Sequence, residues 1–212
     1  MKKWLIAVFL AVEMMLYVCI LTCGGDLLVA TSYVSIVLCG MFALAFGKRE
    51  ALFLRLGLLC TIGADFCLVV CNPIQRRWGM AFFLGAQTMY ALYLGGGRKH
   101  WLVRGIVSLC ALAAAALVLK DNTDALALVS VCYYGNLILN LVWAFLNKEK
   151  WLGLAFALFL LCDTVIGLQV AAEGYLPIAE GTVLYRILFS GFNLAWLFYL
   201  PSQVLLAIRT NK

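Results

Sequence analysis

The chain has 212 residues, of which 66% are hydrophobic and only 12% are charged, whereas an ordinary soluble domain has about 25% charged residues. Its mean hydropathy is +1.02. These values exclude an ordinary soluble domain, because such a protein would expose a large apolar surface to water. The formal net charge of +6 does not indicate a nucleic-acid partner, since membrane topology accounts for where the basic residues lie.

Apolar segments long enough to cross a bilayer recur along the whole sequence. About 20 apolar residues in a helix span the hydrocarbon core, and glycine-rich or charged stretches such as 24–26 and 95–99 separate the segments. We therefore predict an all-α fold, a single polytopic membrane domain over residues 1–212 with about eight transmembrane helices. The predicted spans lie near 4–22, 27–46, 52–71, 78–95, 101–119, 124–146, 151–172 and 183–208.

The basic residues are distributed unevenly between the two sides of this topology. Cytoplasmic loops of membrane proteins carry an excess of lysine and arginine. The side that contains both termini holds twelve of the sixteen basic residues, and the opposite side holds Arg76, Arg77, Lys120 and Arg186. This distribution predicts that both termini are cytoplasmic, which requires an even number of spans. We expect a multi-pass protein of the plasma (cytoplasmic) membrane that is embedded in the lipid bilayer.

Three predicted spans contain a carboxyl side chain away from their ends, namely Glu13, Asp65 and Asp163. A carboxylate at the centre of a membrane helix costs about 2.5–3.5 kcal/mol on insertion scales. At 1.5 Å rise per residue, both aspartates lie roughly 3–5 Å outward of the midplane, a level that Gln87, Asn136 and Asn193 also approach. The pattern predicts a polar chamber inside the bundle. Hydrogen bonds between helices explain the amides equally well, and for Glu13 a structural role is favoured.

The cysteines and the histidine do not form a metal-binding pattern. Nine cysteines lie inside apolar runs without any CxxC spacing, which is typical of small buried hydrophobic residues. The single histidine, His100, is predicted to lie in a loop with Arg98, Lys99 and Arg104. We expect no metal ion and no cofactor.

Two stretches of the chain are similar to each other. Residues 85–94 align with residues 191–200, with three identities and the related pairs Gln87/Asn193 and Tyr90/Trp196. This similarity favours a 4+4 internal repeat, in which two halves of equal orientation are related by an axis along the membrane normal. In such a repeat, Asp65 would face Asp163.

Three short motifs resemble those of the YhhN-like lysoplasmalogenase family. They are Gly63-Ala64-Asp65-Phe66-Cys67-Leu68 with the following segment from Gly79 to Tyr90, the stretch from Phe159 to Leu168 around Asp163, and Tyr199-Leu200-Pro201-Ser202-Gln203. The resemblance covers roughly residues 50–208. The family usually has glycine at position 64, histidine at position 87 and serine at position 162, where this chain has Ala64, Gln87 and Cys162.

The resemblance implies hydrolysis of the vinyl-ether bond of a lysoplasmalogen, a lysophospholipid, to a fatty aldehyde and a glycerophospho-head group. Asp65 and Asp163 would be catalytic, one as the acid that protonates the vinyl ether and the other as the group that stabilises the cation or activates water. Which aspartate is the acid stays open. Side chains expected to contact substrate or water are Gln87, Tyr90, Tyr134, Asn136, Asn193 and Gln203.

Two other functions remain open at this point. Carboxyls near the midplane together with an internal repeat also suit a proton-coupled transporter of a small molecule or lipid. Against a transporter, the sequence predicts no pair of broken helices. A non-catalytic lipid-binding protein is the third possibility, because Gln87 replaces a histidine that would carry protons.

Overall fold

The computed structural model describes residues 3–71, 76–119, 125–174 and 178–211. Lys2, Lys120 and Lys212, which contribute to the predicted orientation, lie outside these ranges. The described residues form nine α-helices, α1 Lys3–Thr22, α2 Gly25–Phe46, α3 Leu52–Asp65, α4 Arg76–Leu94, α5 Arg98–Leu119, α6 Ala125–Leu146, α7 Lys150–Gly174, α8 Val183–Leu188 and α9 Leu194–Arg209.

Buried polar side chains lie within an otherwise apolar core, and many large apolar side chains are exposed on the outside of the bundle. Met15 is 71% exposed and Leu109 is 68% exposed, whereas Gln87 and Asn140 are completely buried and Arg104 is 4% exposed. Water would penalise such an apolar surface, and lipid would not. The fold is therefore that of an α-helical membrane protein, as the composition predicts.

Six segments of the described chain are long and apolar enough to cross a membrane. They are Lys3–Thr22, Gly25–Phe46, Arg49–Val70, Arg98–Leu117, Ala125–Leu146 and Lys150–Ala172. The two remaining predicted spans correspond to α4, which begins with a pair of arginines, and to α9, which has 16 residues. Both helices pack against other helices of the bundle, α4 against α3 and α6, and α9 against α7 and α2. Eight crossings therefore remain a prediction.

The last predicted span, 183–208, is not a single helix. Helix α8 ends at Leu188 and α9 begins at Leu194. Gly191 between them has φ of 76°, a left-handed conformation that interrupts a right-handed helix and that glycine adopts at little cost. The Gln169 side chain donates a 2.7 Å hydrogen bond to the backbone oxygen of Leu188, which satisfies a carbonyl at the end of α8. The expectation of one continuous span is therefore wrong.

Helix α3 changes its winding directly after Asp65. The chain continues from α3 into a π-helical turn over Phe66–Val70, and the backbone N–H of Cys71 donates to the oxygen of Phe66 at 3.0 Å. Such wide turns are rare in proteins, and those that do occur are often found at functional sites. The irregularity therefore lies next to one of the two aspartates that the sequence analysis selects.

Candidate functional site

Asp65 occupies the last residue of α3 and is buried, with 3% of its surface exposed. The hydroxyl of Tyr199 on α9 donates a 2.6 Å hydrogen bond to its Oδ2 atom. Since α3 and α9 are far apart in the sequence, the packing of the second half of the chain against the first creates this contact. The hydrogen bond fixes the orientation of the carboxyl group.

Asp163 lies on α7 and is partly buried. The hydroxyl of Tyr133 on α6 donates a hydrogen bond to its Oδ2 atom. The carboxyls of Asp65 and Asp163 interact electrostatically with each other, and Cys162 interacts electrostatically with both. The structure therefore brings the two aspartates into one neighbourhood, each with its own tyrosine.

Four aromatic rings pack against one another next to the two carboxyls. We call Phe83, Tyr133, Phe159 and Tyr199 the aromatic cluster. The ring centroid of Phe83 lies 5.5 Å from Tyr133 and 6.3 Å from Tyr199, and that of Phe159 lies 5.3 Å from Tyr199. The cluster thus links the tyrosine that holds Asp65 to the tyrosine that holds Asp163. A long apolar chain is compatible with such surroundings, and bulk water is largely excluded from them.

A second polar group forms around Arg104, and we call it the Arg104 cluster. Its guanidinium donates to His100 Nε2 at 2.6 Å, to Asn136 Oδ1 at 3.0 Å and to Asn140 Oδ1 at 2.7 Å. The Asn140 amide in turn donates to the side-chain oxygen of Gln87 at 2.8 Å. Two of the predicted substrate-binding residues, Gln87 and Asn136, therefore belong to this cluster.

The position of His100 corrects the expectation that it lies in a loop, and Arg104, counted with that loop although the predicted span 101–119 contains it, is also helical. Helix α5 begins at Arg98, so both residues lie in its first two turns. His100 is 3% exposed and Arg104 is 4% exposed. The histidine ring packs edge-on against Trp143, with 4.5 Å between centroids. Aromatic packing and amide acceptors allow these polar side chains to be buried.

The remaining four predicted contact residues occupy different surroundings. The ring of Tyr90 is buried, and its centroid lies 5.5 Å from the ring centroid of Phe156. The Tyr134 hydroxyl forms a 2.8 Å hydrogen bond with Thr164. Asn193 is the N-cap residue of α9, but its side chain makes no capping hydrogen bond. The Gln203 amide is buried, and neither its oxygen nor its nitrogen has a hydrogen-bond partner among the described residues.

Tyr133 is a neighbour of Asp163 that the sequence does not single out. Phe83, Phe159 and Tyr199 lie within the quoted motifs, but the sequence assigns them no role of their own. Tyr133 immediately precedes the selected Tyr134, and adjacent helical residues point about 100° apart. The sequence does show two adjacent tyrosines on one predicted span. Which of them contacts Asp163 depends on the rotation of α6 about its axis.

Glu13 forms a third, separate polar site between α1 and α2. It is buried and accepts hydrogen bonds from Ser35 Oγ at 2.5 Å and from Cys39 Sγ at 3.4 Å. Its contacts are consistent with the structural role that the sequence analysis favours. Within the described ranges, no group of three or more histidine, cysteine or acidic residues is placed to hold a metal ion.

A cavity of about 650 Å³ lies at the end of the bundle where the predicted cytoplasmic loops meet. Arg209 and Glu149 form a two-pronged ion pair in its wall, with N–O distances of 2.7 and 3.1 Å. Its lining residues are Lys48, Glu50, Ala51, Tyr93, Leu94, Asn147, Glu149 and Arg209. Neither aspartate lines this cavity, so it is distinct from the candidate site.

Comparison with known proteins identifies the family. No curated protein and no solved structure matches the sequence significantly. The family model described as the YhhN family matches residues 47–209, a range that contains both aspartates, the aromatic cluster and the Arg104 cluster. This match covers most of the chain and confirms the resemblance of the motifs. The chain belongs to the YhhN family.

Proposed function

We propose that the protein hydrolyses the vinyl-ether bond of lysoplasmalogens, with Asp65 and Asp163 as the catalytic pair. The observation that carries the proposal is the position of two carboxyls, from helices far apart in the sequence, next to one aromatic cluster, with a tyrosine hydroxyl donating to each. Membership of the YhhN family supports a lysoplasmalogenase-type activity. The single apolar chain of a lysolipid suits aromatic surroundings.

The reaction needs one proton donor and one proton acceptor. One aspartate, in its acid form, transfers its proton to the double-bond carbon that is not bonded to the ether oxygen. This protonation produces an oxocarbenium ion. The other carboxylate stabilises this cation and accepts a proton from the water that attacks it. The resulting hemiacetal breaks into a fatty aldehyde and the free hydroxyl of the glycerophospho-head group. One water is consumed, and no cofactor enters the balance.

Aldehyde release from a lysoplasmalogen by the purified protein in detergent tests the proposal. Asp65→Asn and Asp163→Asn should each reduce release by about 100-fold or more, the usual contribution of a general acid or base. Glu13→Gln is the matched control, because it changes a buried carboxyl outside the site and should leave release intact. Wild-type-like turnover in both aspartate variants would eliminate the proposal.

A proton-coupled transporter is the second candidate, and helix interruptions favour it. The π-helical turn after Asp65 and the break between α8 and α9 are features that transporters use near their substrate sites. A transporter would move solute in sealed proteoliposomes and release no aldehyde. A non-catalytic lipid-binding protein would do neither, so the two assays separate all three functions.

A further inference from the structure

Arg104 is a buried cation without a carboxylate partner in the described part of the chain. Its three hydrogen-bond acceptors are one histidine nitrogen and two amide oxygens, all of them neutral. The nearby ring of Trp101, 6.0 Å from the guanidinium carbon, adds only a weak attraction. Buried charges are normally paired, so this site has an excess of positive charge.

The same cluster has more hydrogen-bond donors than acceptors. His100 Nε2 accepts the Arg104 hydrogen bond, so the proton of the neutral ring lies on Nδ1. His100 Nδ1 and Gln87 Nε2 are both buried and lack a partner among the described residues. A guanidinium has five N–H donors, of which three are used here. A buried cation with unused N–H groups of its own is suited to binding an anion.

The Arg104 cluster lies close to the proposed catalytic pair along the helix axes. On α6, Asn136 and Asn140 follow Tyr133 by three and seven residues, about 4.5 and 10 Å at 1.5 Å per residue. On α4, Gln87 follows Phe83 of the aromatic cluster by four residues, which is about one turn. The cluster is therefore about one to two turns from the Tyr133–Asp163 contact.

We infer that Arg104 and the Gln87 amide form the subsite that binds the phosphodiester of a lysophospholipid, while His100 helps to hold the guanidinium. This inference rests on the proposed function and specifies its substrate recognition. Only the glycerol backbone separates the vinyl ether from the phosphate, and this short distance suits the spacing of the two clusters. Helix α5 packs chiefly against α6, so its separation from α4 would admit a lipid from the bilayer. Asn136 and Asn140 hold the guanidinium in place.

Binding of lipids that cannot be hydrolysed tests the subsite independently of catalysis. The probes are a saturated 1-O-alkyl lysophosphocholine and the matching 1-O-alkylglycerol, which has no phosphate. The wild-type protein in a neutral detergent should bind the first at least about tenfold more tightly, the value of one charge-assisted hydrogen bond. Equal affinities of the wild-type protein for both probes would overturn the inference without requiring any variant.

Substitution of Arg104 tests whether this residue causes the preference for the phosphate-bearing lipid. Arg104→Gln should remove most of the preference for the phosphate-bearing probe, and Arg104→Lys, which keeps the charge but loses the planar fork, should retain part of it. A preference that survives unchanged in a folded Arg104→Gln protein would overturn the inference. So would displacement of the lysophosphocholine by equimolar inorganic phosphate, because the site would then bind free phosphate. If aldehyde release fails while the preference holds, only the proposed hydrolysis is lost.

Discussion

The hydroxyl of Tyr199 on α9 donates a 2.6 Å hydrogen bond to Oδ2 of Asp65 on α3. Both side chains are buried, so a carboxyl that would otherwise lose its hydrogen bonds to water keeps one strong partner. The contact also connects α3 to the last helix, α9. The geometry of Asp65 therefore depends on a residue near the other end of the chain.

Tyr199→Phe should lower the turnover number for aldehyde release by about tenfold or more, because a hydrogen bond to a charged group is worth about 1.5–3 kcal/mol. Since Tyr199 positions Asp65, the Michaelis constant should change much less than the turnover number. Steady-state kinetics with a lysoplasmalogen measure both values. Tyr17→Phe is the matched control, because its hydroxyl donates to the Leu197 carbonyl oxygen of α9 and does not contact Asp65. Equal losses in the two variants would contradict the positioning role.

The adjacent residues Tyr133 and Tyr134 provide a sharper comparison. Tyr133 donates to Asp163, whereas Tyr134 bonds with Thr164. Tyr133→Phe should therefore reduce turnover much more than Tyr134→Phe, although both remove one hydroxyl from the same turn of α6. Single-turnover measurements on the two purified variants give the ratio directly. A larger loss in Tyr134→Phe would mean that the Tyr133 contact is irrelevant to catalysis.

The two aspartates can be selected from the sequence because a carboxyl in an apolar segment is costly wherever the helix packs. Tyr133 cannot be selected over Tyr134 in this way, because the roles of the two tyrosines depend on the rotation of α6 about its axis. Arg104 was missed for another reason. Basic residues next to a predicted loop match the positive-inside pattern, and only the start of α5 at Arg98 places this side chain in the interior. Hydropathy likewise cannot detect the break at Gly191 inside an apolar segment.

Glu13 should contribute to stability without contributing to catalysis. It lies outside the family match over residues 47–209, and its partners Ser35 and Cys39 are both on α2. Glu13→Ala would leave the Ser35 hydroxyl buried without its acceptor, at a cost of about 1–3 kcal/mol. Thermal unfolding in detergent should show a lower midpoint, while aldehyde release per folded molecule stays at the wild-type value. A loss of turnover with unchanged stability would show that Glu13 takes part in the reaction.

The ion pair between Arg209 and Glu149 should stabilise the packing of α9 against the start of α7. The pair is two-pronged, and the two side chains are 14% and 38% exposed, so water weakens the attraction. We expect a coupling free energy of at most about 1 kcal/mol that decreases as salt is added. A double-mutant cycle with Arg209→Gln and Glu149→Gln, measured by unfolding in detergent, gives this value. A coupling that does not change between low and high salt would contradict the role of partial exposure.

Gly57 allows α3 and α4 to approach closely, and its substitution should be costly. A Cβ atom at this position would lie 2.1 Å from Cε1 of Tyr90, and the ring is fully buried, so it has little room to move. Gly57→Ala should therefore lower the unfolding midpoint, and Tyr90→Leu in the same chain should restore part of it. In Gly167→Ala the new methyl group meets nothing within 4 Å, and the higher helix propensity of alanine should leave the midpoint unchanged or raise it. Equal midpoints for the two alanine variants would contradict the close approach of α3 and α4.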